Sequence, residues 1–529
     1  MNMKRIYIYF CLLIVALMAS SCENFLTENP KGATTPDMLF KDESGLDMAI
    51  TGVYRSFQET TNHHEDQLYL YCGDDVTSQN AGNKTRFAEY DRFYYNSGNI
   101  DLLQSYTLYY ACIKACNTVI NNAESMTIDQ TFLQNRLGVA YCLRALEYFM
   151  LVRIWGPIPL ITTGDIDYTA PRAAVSDVYT QIESDLAKAE EYLPDSWSGA
   201  GSPYFSNGVN IAPNKAAAKA LEASVWMTEA GWPLNKGTSY YDQAAAKYKE
   251  IIDNASIYGY TLDPDIRNLV TEASGDYNHE IVFGSYLSKD WSMYQNPLNE
   301  MPEECNGWCD LLPELDFFYN FPEGVRKDAY FLTTIYLENS TGQYVSWDDP
   351  STRQRHPHFK KNIDNGYWSY NYTTKEYSGA DGMNWGGNGG KTRYLFRYAD
   401  ILLLYAEAIA YGSGTIDENV VNYVNQVKTR AGEADSLMVN TGMSRENFQQ
   451  AVLNERKWET CANEGAVMGR FFTMQRHGIL QDQSQYRITD GDIHDTTLNP
   501  AFVSQTSPSE QFYYFPIPDQ EMLIVPDLK

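Results

Sequence analysis

Residues 144–160 read RALEYFMLVRIWGPIPL, and the apolar positions that run into this stretch decide the fold. Leu137, Tyr141, Tyr148, Phe149 and Val152 recur at helical spacing, so they predict one amphipathic helix. Working outward, the pattern repeats. Val178, Ile182, Leu186, Ala189 and Leu193 form a second stripe, with Ser176 as its expected cap and Pro194 as its stop. Ala217, Leu221 and Val225 precede the Gly231 and Pro233 stop, and Tyr248, Ile251, Ile252 and Ala255 make the next helix. Further on, Ile401, Leu404, Tyr405 and Ala408 are followed by Val420, Val424, Val427 and Ala431, and Phe448 and Val452 open a last long helix. On the N-terminal side, Leu46, Ile50, Val53, Tyr54 and Phe57 give another, expected to start at a capping box of Ser44 and Asp47. Paired helices of about 12–20 residues with short turns predict a mostly α, tetratricopeptide-like array.

Two regions break the period. Residues 60–105 are polar and Asn/Gly-rich, with Tyr69, Tyr71, Tyr90, Tyr94 and Tyr95. Residues 256–392 carry many Gly, Pro and Asn, and five of the ten tryptophans: Trp291, Trp308, Trp347, Trp368 and Trp385. Aromatic residues on loops borne by a rigid scaffold are candidates for ligand contact, although each Trp can equally pin its own loop. The expected organisation is therefore a scaffold over about 37–255 and 393–480, interrupted by an irregular insert over about 256–392, in one domain spanning 37–529.

The composition narrows the function. The 529 residues carry 40 Lys+Arg and 68 Asp+Glu, a formal charge of −28, which argues against a nucleic-acid partner. Tyr, at 41 residues, is in excess, as suits a surface that grips something wet and flat-faced. At the N-terminus, Lys4 and Arg5 precede the apolar run Ile6 to Met18, too short to span a bilayer but right for a secretory signal over 1–21. The run ends in LMASSC, which resembles a bacterial lipobox. Cys22 is the expected acylated residue, followed by a polar tether over 22–36. No later stretch reaches 18 consecutive apolar residues, so the expectation is a lipid-anchored protein that does not span.

Motifs for catalysis are mostly decoys. WGGNGGKT at 385–392 lacks the first Gly of a phosphate loop, where Trp385 stands. His63-His64-Glu65 and His356-Pro357-His358 read as solvated loop histidines, so neither metal nor cofactor is expected. Asp74 and Asp75 are adjacent on an extended segment and point apart, whereas a glycosidase needs facing carboxylates about 5–10 Å apart. Cys112 and Cys116, four apart on a helix, read as core residues; Cys305 and Cys309 flank Asn306-Gly307 and either close a disulfide or stay free.

The chain resembles the SusD/RagB family of outer-membrane glycan-binding lipoproteins. The likeness is carried by CENFLTENP from residue 22, YRSFQ at 54–58, the run Tyr110, Ile113, Cys116, Asn117, and above all residues 144–160 and PRAAVSDVYTQIESDLAKAEEYLP at 171–194. RYADILLLYAEA at 397–408, VNYVNQVKTRAG at 421–432, NERKWE at 454–459 and FPIPDQEM at 515–522 complete it in order. One stretch departs: the expected Arg comes late, at Arg470, Thr473 stands where an Asp is usual, and His477 where a Trp is usual. The resemblance implies a non-enzymatic protein that binds oligosaccharide, faces outward on the outer membrane, and caps a TonB-dependent, SusC-like transporter against its helical face. By position alone it implies a ligand set of Arg86, Tyr94, Tyr95, Asn96 and Asn99 in one loop and Trp291, Tyr294 and Trp308 in another. Aromatic rings would pack on sugar C–H faces while polar groups bond the hydroxyls. Two other readings stand beside it: a peptide-importing member of the family, and a secreted glycoside hydrolase on a helical scaffold.

Overall fold

The computed structural model describes residues 39–62, 67–79, 81–164, 169–199, 202–270, 277–286, 299–305, 307–337, 343–361, 369–371, 376–378, 391–462, 466–482 and 512–528. Cys22, His63, His64, Trp291, Tyr294, Trp368 and Trp385 lie outside them. Helices labelled here are α1 (Glu43–Asn62), α2 (Thr85–Asp91), α3 (Ile100–Ala123), α4 (Gln130–Trp155), α5 (Val175–Tyr192), α6 (Lys215–Ala230), α7 (Thr238–Asp253), α8 (Tyr398–Tyr411), α9 (Glu418–Arg430), α10 (Arg445–Glu459), α11 (Arg470–His477) and α12 (Asp519–Ile524). Packing follows one line: α1 on α3, α3 on α4, and so on through α7 on α8, with α9 and α10 both on α8. The helical array expected from the periodicity is present.

Helix α4 is its centre. Every residue from Arg136 to Trp155 is buried, so the apolar stripe is only part of a helix covered on all sides. Its polar residues are struts. Arg144 makes a bidentate pair with Asp185 of α5, at 2.8 and 2.6 Å, and donates to Asn117 Oδ1 of α3 at 2.8 Å. Trp155 Nε1 donates to the Pro516 carbonyl at 3.1 Å, which docks the C-terminal segment. Asp129 caps the helix start by accepting from Phe132 N at 2.8 Å. The helix ends at Gly156, whose φ of +72° and closeness to the Tyr514 ring, 2.8 Å from an added Cβ, leave no room for a side chain. Gly156→Ala should cost about 1–2 kcal/mol from backbone strain alone, read as a lower melting temperature.

Two caps lie elsewhere than expected. Asp42 caps α1, accepting from Gly45 N at 2.9 Å. Asp47 instead accepts from Arg136 Nε at 2.8 Å, and Ser44 lies inside the helix. Helix α5 starts at Val175 behind Ala174, so Ser176 sits in its first turn.

Helices α7 and α8 are spatial neighbours although some 140 residues separate them, so the insert leaves the array after α7 and returns at α8. Its gate is an antiparallel pair, β1 (Ile281–Ser285) and β2 (Arg393–Arg397), in the register Ser285 to Arg393 and Ile281 to Arg397 with an intervening bulge. β2 runs straight into α8. Between the gates lie short helices, Leu315–Tyr319 and Val325–Tyr330, and small two-stranded pairings such as Thr334–Tyr336 with Tyr344–Ser346. Trp347 is a loop anchor, buried edge-on against Phe318 at 5.7 Å.

A buried charge network ties insert to scaffold. Arg326 of the insert meets Glu455 at 2.6 Å, Glu459 at 2.8 Å and Glu433. Arg397 reaches Glu459 at 2.7 Å and Glu280 at 3.2 Å; Arg430 reaches Glu280 at 2.5 Å and Glu459. Lys428 pairs with Glu433 and Glu455, at 2.7 and 2.8 Å. Four cations and four carboxylates thus balance with almost no access to water.

Helix α11 absorbs the stretch that departs from the family pattern. Arg470 makes a bidentate pair with Asp74 at 2.6 and 2.9 Å. Thr473 receives a bond from Arg456 at 3.1 Å, and His477 bonds Glu407 at 2.8 Å.

Candidate functional site

The segment that bears Trp308 meets the one that bears Arg86. Lys84, which precedes α2, donates to the Trp308 carbonyl at 2.7 Å and makes an ion pair with Asp310, both groups buried. Tyr71 reinforces the joint: its hydroxyl donates to the Asp310 carbonyl at 3.2 Å and its ring stacks on Phe87 of α2 at 5.2 Å. Asp91, buried at the other end of α2, accepts from Thr77 Oγ1 at 2.9 Å and Ser78 N at 3.0 Å. Helix α2 is thus clamped at both ends. Trp308, 39% exposed, lies beside its start and Tyr94, 77% exposed, follows its end, across a helix about 10 Å long. Arg86 lies on α2 between them, over the Phe87 ring at 4.7 Å and 3.1 Å from Asp101.

The remaining members of the expected set have positions of their own. Tyr95 is packed, not presented. It stacks on Tyr90 at 5.2 Å and packs at a tilt on Phe515 at 4.7 Å, and its hydroxyl donates to the Phe512 carbonyl at 3.0 Å. Asn99 is buried as the cap of α3, accepting from Asp101 N and Leu102 N at 2.9 and 3.3 Å. Asn96 is exposed and turns the loop by accepting from Gly98 N at 2.9 Å. The loop tyrosines Tyr69, Tyr71 and Tyr90 are buried as well. Of the described members of the expected set, Tyr94, Asn96 and Trp308 are exposed and Arg86 is half-buried, while Tyr95 and Asn99 are packed into the fold. Lys84 and Asp310, which join the loops, carried no signal in the sequence, since 226 residues separate them.

Histidine and cysteine chemistry is absorbed by the fold. His356 and His358 are buried, contrary to the solvated reading. Each ring bonds a carbonyl, of Pro357 at 2.9 Å and Glu300 at 3.0 Å, and burial lowers their pKa values to about 4 and about 3, which keeps them neutral. Cys305 and Cys309 are buried and not joined by a disulfide, so that alternative is not realised; Cys305 Sγ donates to the Tyr336 carbonyl at 3.2 Å. Among the described residues no group of three or more His, Cys, Asp or Glu is placed to hold a metal. Asp74 and Asp75 are buried. Burial would raise Asp74, but Arg470 and Lys457 outweigh it and hold the carboxyl well below the usual range, while burial and Asp74 raise Asp75.

Two family models match the chain in sequence. "Starch-binding associating with outer membrane" matches residues 24–227, and "SusD family" matches residues 279–529. The chain belongs to the SusD/RagB family. Among curated SusD-like proteins, SusD-like protein P2 of Formosa agariphila is 27% identical over 485 residues, covering 86% of this chain and 88% of that protein. A SusD superfamily protein of Parabacteroides distasonis shares the fold with a TM-score of 0.73 at 22% identity, over 92% of this chain and 98% of the other. Surface glycan-binding protein A of Bacteroides thetaiotaomicron, solved in complex with laminarihexaose, superposes with a TM-score of 0.70 at 16% identity, covering 92% and 99%. Among the described residues of this SusD-like chain, no helix is long and apolar enough to cross a membrane.

Proposed function

We propose that the protein binds an oligosaccharide on the Tyr94–Trp308 surface and delivers it to a SusC-like TonB-dependent transporter, without altering it. The observation that carries this reading is the clamp on α2, which holds two exposed aromatic rings on separate loops to one rigid element. Such rings supply flat apolar faces at low entropic cost, and Arg86 and Asn96 add donors for hydroxyls. The laminarihexaose complex of the B. thetaiotaomicron relative makes a β-glucan the first ligand to try. A lipid on Cys22 would hold the protein to the outer membrane, facing outward. The transporter would meet the helical array, whose rigid faces suit an interface of more than about 1,200 Å². Hydrogen exchange with and without the partner tests that docking, since protection confined to the insert would refute it.

The glycan reading is tested by calorimetry with laminarihexaose, then a panel of other oligosaccharides, on Tyr94→Ala and Trp308→Ala. A ring on a sugar face contributes about 0.5–1.5 kcal/mol beyond its burial, so each variant should bind roughly tenfold more weakly. Melting temperatures should change little, because both rings are exposed. Unchanged affinity with a large fall in melting temperature would make them loop anchors and remove the site.

A further inference from the structure

A cavity of about 380 Å³ opens between the middle of α3 and the C-terminal segment. Tyr106, Tyr110 and Ile113 of α3 line one side, Ile161 contributes to the floor, and Ile524 and Val525 line the other side. Its walls are fixed on both flanks. The C-terminal segment is held by Phe515 N to the Ile154 carbonyl at 2.7 Å, by Trp155 to Pro516 at 3.1 Å, and by Asp519 N to the Ser97 carbonyl at 3.0 Å. On the α3 side, Tyr110 donates to the Pro159 carbonyl at 2.8 Å, and Asn117 donates to the carbonyls of Ile161 and Thr163 at 2.8 and 3.0 Å. A cavity this size lies within the range of small-molecule sites.

Two charged residues line this cavity, the exposed Lys114 from α3 and the half-buried Glu521 from α12. Neither has a hydrogen-bond or ion-pair partner among the described residues. Burial raises the Glu521 carboxyl with no cation offsetting it, and the hydroxyls of Tyr106 and Tyr110 feel its charge. Arg172, the cation that Tyr106 feels, is already committed: its guanidinium donates to the Pro157 carbonyl at 2.8 Å and the Leu528 carbonyl at 3.5 Å. Lys114 and Glu521 do not satisfy each other. They line the same cavity without pairing, so among the described residues it presents one anion and one cation to a common volume.

We propose that this cavity binds a small zwitterion, with its ammonium on Glu521, its carboxylate on Lys114 and a compact apolar or ring-shaped body against Tyr106 and Tyr110. The charge pattern excludes a neutral sugar as the preferred occupant, because a carboxylate half-withdrawn from water gains most from a cation. Two sources supply the chemistry. A dipeptide spans about 7 Å between its termini and carries apolar side chains; a sugar acid with a free amine carries both charges on one ring. The proposal stands apart from the Tyr94–Trp308 surface and survives its failure.

Calorimetry on the full chain decides it, with the dipeptide Leu-Phe in one arm and muramic acid in the other. Each arm includes the N-acetylated form, and the dipeptide arm adds the C-terminal amide. The expected result is saturable binding in at least one arm, weakened about tenfold or more when either charge of the probe is blocked, as charge-assisted hydrogen bonds imply. Glu521→Gln should erase the difference between free and acetylated probe, and Lys114→Met the difference between acid and amide. Both variants should melt with the parent and keep its oligosaccharide affinity, since neither side chain has a partner among the described residues. Binding in one arm alone names the source, and binding in both leaves the site open to either. No saturable binding in either arm, or parental binding of the free probes by both variants, overturns the proposal.

Discussion

Glu459→Gln is expected to destabilise the protein by about 3–5 kcal/mol, because three buried arginines would lose a shared counter-charge that water cannot replace. Gln fills the same space, so the loss reports charge and not packing. Urea unfolding followed by circular dichroism measures it, and a loss below about 1 kcal/mol would show that the remaining carboxylates re-pair with little cost. The same group sets an acid limit. Burial alone would raise Glu459, but Arg430, Arg397 and Arg326 outweigh it and hold the carboxyl well below its usual range. A depressed carboxyl contributes stability above its unfolded pKa of about 4.3, and that stability drains away as pH falls below it. The parent should therefore lose stability steeply under about pH 4, and the Gln variant less steeply.

Glu147 has the opposite sign. It is buried in α4 with Thr60 as a hydrogen-bond donor at 3.1 Å, and burial raises its pKa to about 8. A raised carboxyl leaves folding stability intact below the unfolded pKa and subtracts from it as pH rises toward the folded value. Glu147→Gln never ionises, so its advantage over the parent should be small near pH 4 and grow to about 4 kcal/mol by pH 8. Melting temperatures across that range test it. A stability difference that is flat with pH would mean that Glu147 is ionised in the folded protein.

These two glutamates show why the array was legible and its energetics were not. Apolar residues at helical spacing announce themselves, and the helices stand where Leu137 to Val152 and Val178 to Leu193 predict them. The cap of α1 lies two residues before the expected Ser44, because Asp42 competes with it and spacing alone does not rank two local acceptors. The motifs that carry the family resemblance are, in the fold, the charge network. Arg397, Lys428, Arg430, Glu455 and Glu459 all come from the quoted stretches, and each reads as an ordinary helix-surface charge until distant partners bury it. The ligand surface was legible only as two loops. Which aromatic faces out depends on contacts hundreds of residues apart, as with Tyr95 against Phe512 and Trp308 against Lys84. His356 and His358 misled for the same reason: polar neighbours in sequence say little about burial in a long insert.

The gate formed by β1 and β2 brings Ser285 and Arg393 face to face, so everything between them is an excursion whose ends already meet. Closing a longer loop costs only about 0.6 kcal/mol per doubling of its length. Such an excursion is a cassette: it can be lengthened, shortened or exchanged for a relative's without shifting the array that carries it. Two residues limit the exchange, since a graft without Asp310 leaves Lys84 buried without its carboxylate. Any graft that omits Arg326 likewise strands Glu433, Glu455 and Glu459 with a cation too few, so the smallest transplantable unit is the loop together with its buried arginine and Asp310.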